Sequence, residues 1–280
     1  MATTGPTRDA RDTTTGEPRD LTLWEGLARQ RDYWWTVYRR TWKASIISSF
    51  VSPIFYVVAM GVILGGFIAG DPSTLEGADS YLAFVVPGLV SAHAMQTAVG
   101  ETTYPVMDAV KWHKVYFSQL ATPLTPAHVA IAHLLFMTAR VASACGVFML
   151  VLAPFGLFTT WWGPFVAFLA QVLTGAACGA LTYAMSIRMR SEAGFGVFFR
   201  LVVFPLFLFS GAFFPVDNLG PVGAAIARLT PLWQGVNLSR MFTVGQVDWS
   251  VAAVNVVVLL ALLALGTWLS VTGLRKRVTD

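Results

Sequence analysis

Val251-Ala-Ala-Val-Asn-Val-Val-Val-Leu-Leu-Ala-Leu-Leu-Ala-Leu-Gly-Thr-Trp-Leu-Ser-Val271 contains no charged residue. A helix needs roughly 20 predominantly apolar residues to cross about 30 Å of hydrocarbon. This stretch supplies them, and Arg275-Lys-Arg277 follows as a basic stop. The rest of the chain has the same character. Its 280 residues are 55% hydrophobic and 12% charged, with a mean hydropathy of +0.62. An ordinary soluble domain is about 25% charged. The composition therefore excludes a soluble enzyme and a disordered chain, and it predicts a helical membrane protein. Cys145 and Cys178 both lie in apolar runs, with no disulfide or metal-cluster spacing.

Five further windows are apolar enough to span: 45–69, 81–104, 127–152, 164–187 and 194–213. The windows at 45–69, 164–187 and 251–271 are clean. The others carry polar groups: His93, Gln96 and Glu101; His133 and Arg140; Arg200 and Pro205. Such groups belong on faces turned to protein or water. Residues 1–20 have no apolar core of the kind a signal peptide requires, and they predict a disordered cytoplasmic tail.

Charge sets the direction. With the N-terminus inside, 15 of the 19 Lys and Arg residues fall in inner segments, and only Arg228 and Arg240 fall outside. The positive-inside rule then places both ends in the cytoplasm. The first outer segment holds Asp71, Glu76 and Asp79 without a basic residue.

Residues 21–43 precede the first window. Trp24, Leu27, Trp34, Trp35, Tyr38 and Trp42 recur at spacings near three and four, with Arg29, Arg31, Arg39, Arg40 and Lys43 between them. The pattern is an amphipathic helix suited to the cytoplasmic headgroup layer, as a topology anchor or as a contact for a cytoplasmic partner. After the second window, residues 108–121 predict a short cytoplasmic helix. Val110, Val115, Phe117 and Leu120 form one side, Lys111, His113 and Lys114 the remainder, and Pro123 and Pro126 end it. Residues 214–240 are apolar but broken by Pro215, Pro221 and Pro231, so no single helix spans there. Two short helices dipping into the outer leaflet fit, provided protein or a water-filled cavity satisfies their backbone.

No Gly-Lys pair exists to build a P-loop, and H-E-x-x-H and G-x-S-x-G are absent. Uphill transport by this chain would draw energy from another subunit or from an ion gradient. Glu101 is the single acidic residue within the windows. Arg140 requires a partner, and Glu101 is a candidate. A structural ion pair, or hydrogen bonds to carbonyls, is the favoured reading over a functional relay, because no second acidic residue is available to build one. His93 and Gln96 lie one turn apart, either lining a cavity or bonding between helices.

Several segments in this order carry a resemblance. They are Tyr81-Leu-Ala-Phe-Val-Val-Pro-Gly-Leu-Val90, Glu101, Leu120-Ala-Thr-Pro-Leu-Thr125, Phe209-Ser-Gly-Ala-Phe-Phe-Pro-Val216 and Thr230-Pro-Leu-Trp-Gln-Gly-Val-Asn-Leu-Ser-Arg240. Across about residues 21–275 the chain resembles the permease subunits of type-2 ABC exporters, of the nodulation-type lipo-oligosaccharide and daunorubicin-type drug exporter kinds. The resemblance implies an all-α membrane protein in which residues 44–280 form a six-span permease domain of the bacterial cytoplasmic membrane. It implies a second permease chain, as homodimer or heterodimer, and two ATPase subunits that carry ATP and Mg. This chain would hold no cofactor or metal and bind no nucleic acid.

Residues 108–121 would be the coupling helix, with Asp108, Lys111, Trp112, His113, Tyr116, Phe117 and Leu120 toward the ATPase. The run Lys111-Trp-His-Lys114 is more basic and aromatic than that helix usually is. The helix of residues 21–43, with Trp24, Trp34, Trp35, Arg39 and Arg40, would lie at the membrane interface against lipid and touch the ATPase too. The pathway would use His93, Gln96, Glu101, Arg140 and Phe199. Phe213, Phe214, Pro215, Pro231 and Trp233 would form an outer gate of re-entrant helices. A path this apolar suits an amphipathic or hydrophobic substrate: a drug, a glycolipid or a lipid-linked glycan. The alternative is an ion-driven secondary transporter acting alone, which predicts internal repeats and midplane carboxylates.

Overall fold

The computed structural model describes residues 21–56, 59 and 75–279. The described residues hold helices and no strand. Four helical stretches are long and apolar enough to cross a membrane: Tyr81–Trp112, Pro126–Phe155, Gly163–Ser186 and Trp249–Thr279. They match the expected windows at 81–104, 127–152, 164–187 and 251–271. The second half of the window at 45–69, apart from residue 59, lies outside the described residues. The window at 194–213 is helical over Ala193–Phe209 and stops short of a full span.

Chain punctuation sets the helix ends. Helix α1 (Leu23–Tyr56) runs unbroken through Lys43, because after Gly26 in its first turn no Gly or Pro interrupts the chain before Pro53. The amphipathic segment and the start of the first window are thus one helix rather than two. Ser80 opens α2 (Tyr81–Thr102) by accepting the Ala83 amide at 3.2 Å. The chain continues through α3 (Tyr104–Met107) and a π-helical turn over Asp108–Trp112. The 32 residues of Tyr81–Trp112 measure about 48 Å at 1.5 Å per residue. This stretch therefore overhangs a hydrocarbon core of about 30 Å by nearly 20 Å.

Lys114, at φ +52°, takes the left-handed conformation and turns the chain into α4 (Val115–Leu120). The expected single helix over 108–121 is therefore two pieces meeting at an elbow. Thr125 and His128 form a reciprocal cap for α5 (Pro126–Leu152), with Pro126 at its first position. Next come α6 (Gly163–Ser186), α7 (Ala193–Phe198) and, after a π-helical turn over Phe199–Val203, α8 (Phe204–Phe209). Two short helices follow, α9 (Gly220–Arg228) and α10 (Pro231–Val244), the second capped by Thr230. Asp248 caps α11 (Trp249–Thr279), accepting the amides of Ser250 at 2.9 Å and Val251 at 3.2 Å.

Helix α6 is the centre of the bundle and touches α2, α5, α10 and α11. Small residues permit this. A Cβ on Gly175 would lie 2.6 Å from Val141 of α5 and 3.1 Å from the Ala94 carbonyl of α2. A Cβ on Gly266 of α11 would lie 2.8 Å from the backbone of α6 at Ala180. Lipid offers helices no hydrophobic drive to associate, so close backbone contact and interhelical hydrogen bonds hold them together. Ser270 of α11 donates to the Ala180 carbonyl at 3.1 Å, beside that same contact.

Candidate functional site

Helix α1 runs beside the first half of α5 in the same direction. Gly26 meets the His128 ring, Trp34 stacks on Phe136 at 4.4 Å, and Arg140 donates to Thr41 at 2.9 Å. The amphipathic segment is therefore packed on a neighbour along its length. Trp34 is half-buried in that contact, while Trp24, Trp35, Arg39 and Arg40 are exposed.

Glu101 and Arg140 come together, with Arg140 Nη2 2.7 Å from the Glu101 carboxylate. Beside them His133 joins three elements. Its Nε2 lies 3.0 Å from the Glu101 carbonyl and its Nδ1 2.6 Å from the Tyr116 hydroxyl. A carbonyl only accepts, so Nε2 carries the proton and Nδ1 accepts from the Tyr116 hydroxyl. The His133 ring also meets Tyr183 of α6 edge-on at 5.3 Å. A cavity of about 270 Å³ opens beside this cluster, lined in part by Tyr33, Trp34, Glu101, Asp108, His133 and Arg140.

The elbow has two faces. Tyr116 is only 1% exposed and points into the bundle, so it anchors α4 and offers no surface to a partner. Trp112 and Phe117 are 48% and 40% exposed, beside exposed Lys111, His113 and Lys114. Leu120 is half-buried. The Asp108 carboxylate lies 2.5 Å from His113 Nδ1 and braces the turn. Lys111 reaches Glu192, ahead of α7, at 3.0 Å. Glu192 is held below the ordinary carboxylate range by its own backbone amide and by Lys111. A depressed carboxyl pKa means this tie holds at neutral pH and is lost as pH falls through that lowered value.

The other expected pathway residues do not join this cluster. His93 turns its ring toward Phe148 of α5 at 5.3 Å, and Gln96 is exposed. Phe199 packs instead with the group around Met95, Val99, Leu232 and Val236.

At the other end of the bundle, Phe213, Phe214, Pro215, Pro231 and Trp233 are all half-buried. The Phe213 carbonyl accepts from the Tyr81 hydroxyl at 3.1 Å, and its ring meets Phe207 at 5.0 Å. Pro231 occupies the first turn of α10. Sequence reasoning missed the most connected residue here, Arg240. It is 4% exposed and donates to the carbonyls of Phe84 at 3.1 Å and Gly211 at 2.6 Å. It also pairs with Glu76 at 2.5 Å and lies 3.8 Å over the Phe84 ring. A signal was present, because an Arg on an apolar helix beside an otherwise acidic outer loop needs a partner.

The model of one transporter membrane family, described as ABC-2 type transporter, matches residues 31–244. The chain belongs to that family. As an ABC-2 chain it is a transporter subunit with several helices long enough to span a membrane. Its matched region ends at the last residue of α10. The chain is similar to Nodulation protein J of Rhizobium leguminosarum bv. viciae, with 28% identity over 76% of this chain and 83% of that protein. Nodulation protein J of Neorhizobium galegae is 26% identical over 88% of this chain and 94% of that protein. Nodulation protein J of Rhizobium leguminosarum bv. trifolii is 29% identical over 76% and 81%. No solved structure gives a significant match.

Proposed function

We propose that this ABC-2 chain is the membrane permease subunit of an ATP-driven exporter, powered by separate ATPase subunits on its cytoplasmic side. The supporting observation is the two-faced elbow at Asp108–Trp112 and α4. Its outer face offers Trp112 and Phe117 among basic groups, while its inner face is pinned through Tyr116 and His133 to α2 and α5. A partner pushing on that face would move the inner ends of these helices as one body. The chain's lack of a P-loop Gly-Lys pair fits this division of labour.

In this reading the fold has six spans. The first window completes one beyond α1, and α7–α8 with the following residues makes the fifth. Both ends are cytoplasmic, and α9 and α10 form a re-entrant outer gate. A second permease chain completes the pathway, and two ATPase subunits bind ATP and Mg. The membrane is a bacterial cytoplasmic one. The substrate is amphipathic or hydrophobic, a drug, glycolipid or lipid-linked glycan, in keeping with relatives named for nodulation. An ion-driven carrier is disfavoured, since Glu101, the sole carboxylate in the windows, is engaged by Arg140.

The test is purification of the chain from its own membranes in mild detergent, with mass spectrometry of what accompanies it. A stoichiometric soluble P-loop ATPase is expected. Repeated recovery of the intact chain alone, still active in transport, would overturn the exporter reading.

A further inference from the structure

Residues 210–213 run from α8 into the outer gate, with Ala212 seated in the small apolar cluster of Met95, Val99, Leu232 and Val236 and Phe213 packed at its edge. Ser210 and Ala212 are 1% and 0% exposed, and the Ser210 hydroxyl has no hydrogen-bond partner. Ala212 sits where a Cβ on Gly88 would lie, 2.6 Å from its Cα, so bare backbone of α2 receives it. The ties are polar and directional. Arg240 donates to the Gly211 carbonyl and Tyr81 to the Phe213 carbonyl, on either side of Ala212. Gly211 has φ +79°, a left-handed turn that side chains resist, so the chain bends at the tied residue.

Arg240 also fixes this segment's surroundings. Its contacts with Phe84 hold α2 to α10, and Glu76 brings in the loop ahead of α2. Five donors in a rigid fork permit all these contacts at once, which a Lys could not reproduce. The Glu76 side chain is 37% exposed against 5% for Arg240, so the counter-charge is the part reachable from outside. Residues 210–213 lie outside any helix, so breaking the two carbonyl ties frees them without breaking helix hydrogen bonds, unlike the α6–α11 contact.

We propose that Arg240 is the latch of the outer gate, a positioning residue that holds residues 210–213 closed against α2 until transport releases them. Tyr81 is the second tie, and Glu76 keeps the guanidinium in place. This inference rests on the exporter reading and on α9–α10 being its exit.

The test uses the full transporter in intact cells and a membrane-impermeant maleimide added outside. Ser210→Cys is the reporter: it is near-isosteric, and the hydroxyl it removes bonds nothing. The native Cys145 and Cys178 are buried and give little background. With the latch unaltered, labelling is slow at rest and rises during ATP turnover. Tyr81→Phe, which removes one hydrogen bond, and Glu76→Gln, which keeps an acceptor but removes the counter-charge, each raise resting labelling roughly fivefold. Arg240→Lys raises it further. Should Arg240→Lys fail to assemble, Tyr81→Phe carries the test, because it removes only a hydroxyl.

A purely structural role predicts less assembled complex with an unchanged labelling rate, and that result overturns the latch. Labelling that follows ATP but ignores all three variants also overturns it, and leaves the exporter reading standing. Labelling that follows the variants but never ATP supports the clamp and overturns the exit assignment.

Discussion

Removing the Arg140 side chain leaves the Glu101 carboxylate, 20% exposed, without its 2.7 Å partner. Breaking a fully buried pair costs about 3–5 kcal/mol, and this half-buried one should cost somewhat less. Arg140→Ala is therefore expected to lower the melting temperature of the purified complex by several degrees. Arg140→Ala combined with Glu101→Gln should recover most of that loss, because no unpaired charge remains. If the double variant is no better than the single, the pair is not what stabilises this corner. Tyr116 poses a different question, since its hydroxyl joins the elbow to His133. Tyr116→Phe keeps the packing but leaves Nδ1 without a donor, at about 1–3 kcal/mol. The expected signature is transport per ATP hydrolysed falling, with ATPase binding retained. Equal loss of both would make Tyr116 a packing residue only.

At the scale of the element, contact between helices decides what each tolerates. A side chain at Gly266 would meet the α6 backbone, which has no flexible end to yield. Gly266→Val should separate α11 from α6 at about 1–3 kcal/mol and speed proteolysis of the C-terminal helix. Gly196, in α7, has open space around its Cβ direction, so Gly196→Ala should be neutral or stabilising by about 1 kcal/mol. The four described spanning stretches were legible in sequence because long, predominantly apolar runs admit one solution in a bilayer. The elbow was legible as a place but not as a shape. A left-handed Lys114 is invisible to periodicity, and without it Tyr116 cannot be known to face inward while Phe117 faces out. The start of α1 was legible as amphipathic, but not its partner α5, since a tryptophan stripe suits lipid and a neighbouring helix equally. The partnership of Glu101 and Arg140 was open to inspection because each was a rarity within an apolar run. For Arg240 the sequence signalled that a partner was needed but not which one, because Asp71, Glu76 and Asp79 all lie in the first outer segment.

For the whole molecule, the described ion pairs sharpen the asymmetry that sets orientation. The two basic residues assigned to the outer side are each matched to a carboxylate, Arg228 to Asp217 at 2.6 Å and Arg240 to Glu76 at 2.5 Å. The exposed Arg275 and Lys276 at the end of α11 have no ion-pair partner among the described residues. The uncompensated positive charge thus gathers at one end of the bundle, with the elbow. This is the arrangement that the membrane potential and the translocation machinery retain in the cytoplasm. An impermeant thiol reagent in intact cells should therefore label Asn218→Cys, an exposed position ahead of α9, and should leave Lys276→Cys unlabelled until the membrane is opened. The reverse pattern would invert the molecule. The elbow would then face away from any cytoplasmic ATPase, and the exporter mechanism would fail with it. Labelling of both positions in intact cells would instead mean an odd number of crossings between residues 218 and 276 does not occur, removing α11 as a span despite its 31 residues.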